Sequence, residues 1–291
     1  MIDDIWHRLS TLLPALGQSL LISAAVLLTM LAVEALLVGW PESSLRRLFR
    51  GGASSYTDCL SALLVLTNAS LLIGTALSFG LVYLLQRALR EQVSFNLLSG
   101  LPLPWLAYLF FLLALDFSNY WTHRLMHRIG PLWEIHKYHH SAEHMTMLTA
   151  LRDHPLERVL IHGMNAIPAA LLGLPAQQYI LLRLALQALG FLKHSNFHSN
   201  WGWLGRWFIQ SPSAHRAHHS MAPEHHNRNF ASIFQCWDVL FGTAYHPRKE
   251  VSRSIEIGLD PGYRSNNPLH LLVQTVRDFY RALLRPARRT S

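Results

Sequence analysis

Only two cysteines, Cys59 and Cys236, occur in the 291 residues, and they lie far apart, one of them inside an apolar segment. That excludes a disulfide framework, a CxxC metal or redox site and a cysteine-held iron–sulfur cluster. No Gly-rich dinucleotide motif is present, so the chain carries no hydride cofactor fingerprint of its own. Charge is also scarce: 14% of the residues are charged against 51% hydrophobic, a balance oily for a soluble chain of this size and expected of a membrane protein. The net charge of +8 comes from scattered arginines, without a basic block or a nucleic-acid-binding motif, and suits a membrane surface and a protein partner rather than nucleic acid. No fixed-period repeat, low-complexity tract or linker divides the chain.

What is present first is apolar length. Residues 13–40, 59–86 and 101–121 each supply the roughly 20 mostly apolar residues that a spanning helix needs. The first run is longer than a signal-peptide core and follows "MIDDIWHR" rather than a basic flank, which predicts a retained anchor. Glu34 lies inside it, close enough to a helix end to reach the interface. Arg46, Arg47 and Arg50 place residues 41–56 in the cytoplasm, with Arg87 and Arg90 in the opposite loop dissenting. Three crossings then deliver residue 122 to the cytoplasmic face, the side that the C-terminal "RPARRTS" also favours.

Beyond residue 155 a second apolar stretch is interrupted by Pro168, Gly173 and Pro175, which predicts two short helices in a hairpin that enters the membrane and returns residue 194 to the side of residue 123. Arg183 in its second arm is expected to face protein or to snorkel. "NWGWLGRW" places Trp201, Trp203 and Trp207 as an interfacial belt would. The expected architecture is all-α: an integral-membrane helical stem over residues 1–100, a cytoplasmic histidine-rich helical cap over 101–246, and a basic C-terminal tail over 247–291.

The chain has 18 histidines, and ten of them form three patches. These are His123, His127, His136, His139 and His140; then His194 and His198; then His215, His218 and His219. On a helix, positions i, i+3 and i+4 share a face, so HxxxH and HxxHH let imidazoles converge. A lone HxxxH is most often polar surface, but two HxxHH patches have no comparably bland explanation. Ten imidazoles exceed the three or four ligands of one zinc, and a dinuclear metal site is the economical reading. Imidazole suits Fe, Zn, Cu and Ni alike, so spacing leaves the element open.

The order HxxxH, HxxHH, apolar hairpin, HxxxH, HxxHH, followed by "NRNFAS" and "WDVLFGT", resembles the fatty acid hydroxylase and sterol desaturase superfamily over residues 100–246. The resemblance implies an O2-dependent oxidation, hydroxylation or desaturation, of an unactivated C–H bond in a lipid, at two iron ions held by the ten histidines, with zinc an expected occupant of purified protein. It implies no separate acid or base residue, and electrons from an external ferredoxin or cytochrome b5-like donor. The family often has Gly after the aromatic where this chain has Asn229, Phe230 and Ala231.

A ligating imidazole usually donates its other N–H to an acceptor, and Asp116, Glu134, Asp153 and Asp238 are candidates for that role, each also readable as a surface or capping residue. His154 is expected to act structurally or behind a ligand, and His144, His225 and His226 lie near the patches. A membrane zinc hydrolase would place a Glu within a His motif, and none has one. A metal transporter would carry its ligands inside the spans, and a haem carrier needs only axial pairs.

Overall fold

The computed structural model describes residues 2–78, 104–172, 176–259 and 267–284, with residues 80, 84, 87, 88, 91 and 263 between them. Among these the fold is all-α: no strand forms, and only two isolated bridges, Ile209 to Phe234 and Ser220 to Ile257, occur.

Helix α1, Ile2–Val38, is the stem. Its segment Leu20–Val38 is the only single described helix long and apolar enough to cross a membrane. Gly39, at φ 82°, and Pro41 end it, the first by leaving the helical region and the second by lacking an N–H. Glu34 lies near that end but is fully buried in protein, where it accepts from Ser44 N at 2.7 Å, Ser44 Oγ at 2.9 Å and Asn196 N at 2.7 Å. One carboxylate thus ties the stem to α2, Ser44–Arg50, and to a loop that follows the distant hairpin.

The expected second span is not one helix. α3, Gly52–Leu66, and α4, Ala69–Leu77, meet at 88° across Thr67 and Asn68. Asn68 sits in the left-handed region at φ 60°, and Thr67 Oγ1 turns back to Leu63 O at 2.6 Å, so the helical ladder stops. Nor is α3 built for lipid, since Ser54, Ser55, Thr57, Asp58 and Ser61 are all buried against the cap. α4 is spent on protein as well: a Cβ at Gly74 would run into the Pro155 carbonyl.

The expected third span becomes part of α5, Pro104–Arg128, which runs on through His123 and His127. Its Asp116 and Thr122 are buried, so this helix serves the site as much as any bilayer. The described residues therefore contain one clear span, or two if the bent α3–α4 pair counts as one, in place of the three expected crossings.

A short turn leads into α6, Gly130–His140. The apolar stretch beyond residue 155 forms two helices, as expected: α7, Pro155–Leu172, and α8, Ala176–Lys193. Its turn at 173–175 and the Arg183 side chain lie outside the described residues. Pro168 does not break α7 as expected, but remains inside it. Proline removes the N–H that Met164 O would have received, and Ser118 Oγ of α5 donates to that carbonyl instead at 3.2 Å.

The short helices α9, Gly202–Trp207, α10, Pro212–His218, α11, Cys236–Leu240, and α12, Lys249–Ser254, complete the cap. Trp203 and Trp207 on α9 are exposed. The segment read as a tail contributes α13, Pro268–Leu284, whose Leu271 and Thr275 are buried and whose Tyr280 hydroxyl donates to Leu77 O at 2.5 Å.

Stem and cap share one apolar seam: Leu27 and Leu31 of α1, Ala62 and Val65 of α3, Met147, Leu148 and Leu151, and Phe191 of α8. Beside it lies a buried ion pair, Arg152 Nη1 to Asp58 Oδ1 at 3.0 Å, with Thr146 and Thr149 donating to Asp58 Oδ2 at 2.8 and 3.0 Å. Arg152 also donates to Tyr138 O and Ser141 Oγ, at 3.2 and 2.9 Å, and so fixes the end of α6. Asp58→Ala would leave that guanidinium buried without its counter-ion, at a cost of about 3–5 kcal/mol. A large drop in melting temperature of the detergent-solubilised protein is expected, and an unchanged melt would remove this pair from the scaffold.

Candidate metal centre

Four helix segments bring nine histidines into two adjoining sets. His123, His127, His136, His140 and His218 form one, and His139, His194, His215 and His219 the other; within each set the ligand nitrogens all lie within 4.8 Å of one another. Helical geometry explains the division. Neighbouring residues on an α-helix point about 100° apart and cannot aim at one ion, whereas i and i+4 nearly align. In α6, His136 and His140 therefore face the first set while His139 faces the second. At α10 the assignment is mirrored: His215 and His219 face the second set and His218 the first. Each HxxHH thus belongs to both sets, which holds them side by side.

Several rings are oriented from behind. His123 Nδ1 donates to Phe230 O at 2.9 Å, His218 Nδ1 to Arg228 O at 2.7 Å, and His194 Nδ1 to Gly190 O at 2.8 Å. His136 Nδ1 pairs with Glu157 Oε1 at 2.7 Å, both side chains buried. With Nδ1 protonated, Nε2 is left as a lone pair. The Nε2 atoms of all five members of the first set are buried without a protein partner. In the second set Nε2 atoms confront each other, His215 to His194 at 2.9 Å, and His194 to His139 and His219 to His215 each at 3.3 Å. Buried nitrogens in such numbers are costly unless a cation shares them, and the donor set fits two metal ions.

Burial is the main cause that lowers the pKa of every ring in the two sets, with neighbouring histidines adding to it in most; His139 and His218 fall to about 3. The rings are neutral at pH 7, the form that binds metal.

His198, expected in the ligand set, joins neither cluster. It lies half-buried with Nδ1 3.4 Å from Ser252 Oγ. α8 ends at Lys193 and residues 197–200 are irregular, so the i, i+4 spacing from His194 has no helix to act on.

Three of the expected acceptor candidates, Asp116, Asp238 and Glu134, are engaged away from the clustered histidines. Asp116 accepts from Ile233 N, Phe234 N and Trp237 Nε1 at 2.8–3.0 Å. Asp238 accepts from Phe230 N, Ala231 N and Thr243 Oγ1 at 2.7–2.9 Å. Both hold the loop whose carbonyls receive His123 and His218, one step further out than expected. Glu134 pairs with Lys137, and Asp153 with Arg158 at 2.9 Å. His154 accepts from Leu156 N at 3.2 Å and lies 3.3 Å from Leu272 O, a structural role. His144 meets Ser55 Oγ at 3.0 Å, His225 lies between Ser220 and Tyr245, and His226 is exposed. The acceptor that sequence reasoning missed is Glu157. Its available signal was a carboxylate in the first turn of an apolar helix opened by a proline, where burial demands a partner.

A cavity of about 360 Å³ reaches both clusters, at His123 and His136 of the first and His139, His194 and His215 of the second. Val65, Leu66, Met126, Leu151, Ile161 and Leu184 make much of its wall apolar, and Ser23 of the spanning segment also lines it.

The fold and site define a class, an all-helical protein whose cap holds two adjoining, all-histidine sets of metal-binding geometry. Residues 108–243, just under half of the chain, match the fatty acid hydroxylase family model, which supports the resemblance of this segment to the fatty acid hydroxylase superfamily. It is 32% identical over 176 residues to an alkylglycerol monooxygenase of Xenopus tropicalis, covering 59% of this chain and 36% of that protein. It is 31% identical over 146 residues to the ornithine lipid hydroxylase OlsE of Rhizobium tropici, covering 50% and 44%. A very-long-chain aldehyde decarbonylase of Oryza sativa subsp. indica is 30% identical over 154 residues, covering 51% and 58%. The match thus spans less than two thirds of each relative. No solved structure matches the chain.

The lowered pKa values fix a pH dependence. The unfolded chain binds protons on these histidines near pH 6.5 and the folded chain does not, so stability rises with pH. It is fully present above about 6.5 and is lost as pH falls toward about 3, where His139 and His218 protonate. Metal-free protein is expected to melt at a progressively lower temperature as pH falls below about 6.5. A melt constant from pH 7 to 5 would contradict the neutral cluster.

Proposed function

We propose that this chain is a membrane-bound oxidoreductase that uses O2 and two external electrons to hydroxylate an unactivated C–H position of a lipid. Carbon is oxidised by two electrons; one oxygen atom enters the product and the other leaves as water with the two supplied electrons and two protons. The observation that carries the reading is the pair of buried, neutral imidazole sets opening onto a single, largely apolar cavity. Relatives named for lipid monooxygenation and lipid hydroxylation support hydroxylation over desaturation.

His123, His127, His136, His140 and His218 would hold one iron, and His139, His194, His215 and His219 the other. When bound, the iron pair supplies O2 reduction and C–H oxidation. The chain's own part is to hold these rings uncharged and oriented, to receive an apolar chain along Val65, Leu66 and Leu184, and to keep bulk water from the clusters. The electron donor is external, an acidic ferredoxin or cytochrome b5-like protein, since neither a dinucleotide motif nor a cysteine set is present. Arg46, Arg47 and Arg50 just beyond the spanning segment support a metal site on the cytoplasmic face.

A zinc hydrolase is the second reading, because Glu157 also lines the cavity. Glu157 Oε1 is engaged by His136, which favours an orienting role over that of a free base. Affinities of first-row ions place Zn2+ above Fe2+, so zinc in the purified protein would not by itself favour hydrolysis.

Mass spectrometry of lipid extracts from cells with and without the active protein should show a lipid that gains one oxygen. His139→Ala and His218→Ala are each expected to abolish lipid-dependent O2 uptake while the protein stays in the membrane fraction, because the helices satisfy their own backbone hydrogen bonds. His198→Ala, at a position outside both clusters, should retain lipid-dependent O2 uptake. Turnover surviving His139→Ala, or hydrolysis by the zinc form without O2 uptake by the iron form, would overturn the reading. Glu157→Gln should weaken metal affinity about 10- to 100-fold. Chelator competition measures it, and an unchanged affinity would remove Glu157 from the support of His136.

A further inference from the structure

A second cavity, of about 960 Å³, shares no lining residue with the first. Its wall brings together Arg47, Arg216, Arg253 and His198, and includes Leu37 and Val38 at the end of the spanning segment. Arg216 is only 5% exposed, yet its guanidinium makes a single side-chain bond, Nη2 to Asn196 Oδ1 at 2.9 Å. A guanidinium offers five donors, and burying it without a counter-ion is costly. Among the described residues neither Arg216 nor Arg253 has a carboxylate partner. Glu34, the buried carboxylate behind Arg216, is taken by Ser44 and Asn196. Glu42, Glu143 and Glu256 also line the cavity, and Glu42 lies 3.4 Å from Arg47. The cationic field nevertheless dominates at His198, which burial and then Arg216, Arg253 and Arg47 push down to about 4.

We propose that this cavity is a binding site for a phosphate-class anion, held by Arg216 and Arg253 with Arg47 and His198 beside them. Guanidinium forks match phosphate oxygens in pairs. Its place at the end of the spanning segment is where lipid phosphates lie, so the anion is either a lipid headgroup or free phosphate. Arg216 stands between His215 and His218, and its partner Asn196 stands two residues after His194. An anion here would therefore brace the backbone that presents the second histidine set. The assignment does not depend on the redox reading, because its test needs neither metal nor turnover.

The full chain in detergent is titrated with inorganic phosphate at constant ionic strength, with chloride as control, and its thermal unfolding followed. In parallel, melting is compared in nanodiscs of phosphatidylcholine alone and of phosphatidylcholine with phosphatidylglycerol. A saturable rise in melting temperature with phosphate in detergent assigns a free anion, and a rise with phosphatidylglycerol alone assigns a headgroup. In either case Arg253→Gln, an exposed position that does not endanger the fold, should weaken the response about tenfold, the loss expected for one charge-assisted contact. Arg277→Gln, an exposed cation on α13 outside the cavity, should leave it unchanged. No saturable response to either probe, or one unaffected by both Arg253→Gln and Arg216→Gln, would overturn the proposal.

Discussion

Nine imidazoles packed together in the protein interior are held uncharged by burial, and much of the structure follows from that constraint. A neutral ring has one N–H to give away and one lone pair to place. The protein takes the N–H where it can, with the carbonyls of Phe230, Arg228 and Gly190 and the carboxylate of Glu157. Lone pairs are then left facing inward in two sets, an arrangement without purpose in an apolar core and well suited to two cations.

Holding that geometry requires rigid supports from segments far apart in sequence. Asp116 of α5 and Asp238 of α11 clamp the loop from 229 to 243 through backbone N–H groups, and the loop in turn presents the carbonyl that orients His123. Glu34 reaches from the stem to Asn196 and so anchors the chain just after His194. Arg152 and Asp58 pin the end of α6, which carries three of the nine rings. These buried charges serve position: Glu157 bonds a ring directly, while Asp116, Asp238, Glu34, Asp58 and Arg152 hold backbone next to histidines or to the carbonyls that orient them.

Much of the site was legible because helical spacing is a strong signal. His123 with His127, and both HxxHH runs, lie at helical separations on segments that are indeed helical or close a helix, and the end of α8 brings His194 to within 3.3 Å of His139. His198 was not separable from its neighbours by spacing, since nothing in "HSNFH" announces that the helix stops before it. That the described residues contain one clear span where three were expected has a similar reason. Average hydropathy over 59–86 hides the Thr67–Asn68 break, and only the buried partners of Asp58 and the packing of Gly74 show that one face of each helix is turned to protein. Glu157 escaped notice because its partner, His136, is 21 residues away and the contact is purely tertiary.

The central claim is that two sets of histidines hold two ions, and counting the ions tests it most directly. Metal-free protein, reloaded anaerobically with Fe2+ and separately with Zn2+, then desalted and measured by elemental mass spectrometry against protein concentration, should contain two ions per chain with either metal. One ion per chain at saturation, or a count that does not fall when His140 or His215 is replaced by alanine, would contradict the account.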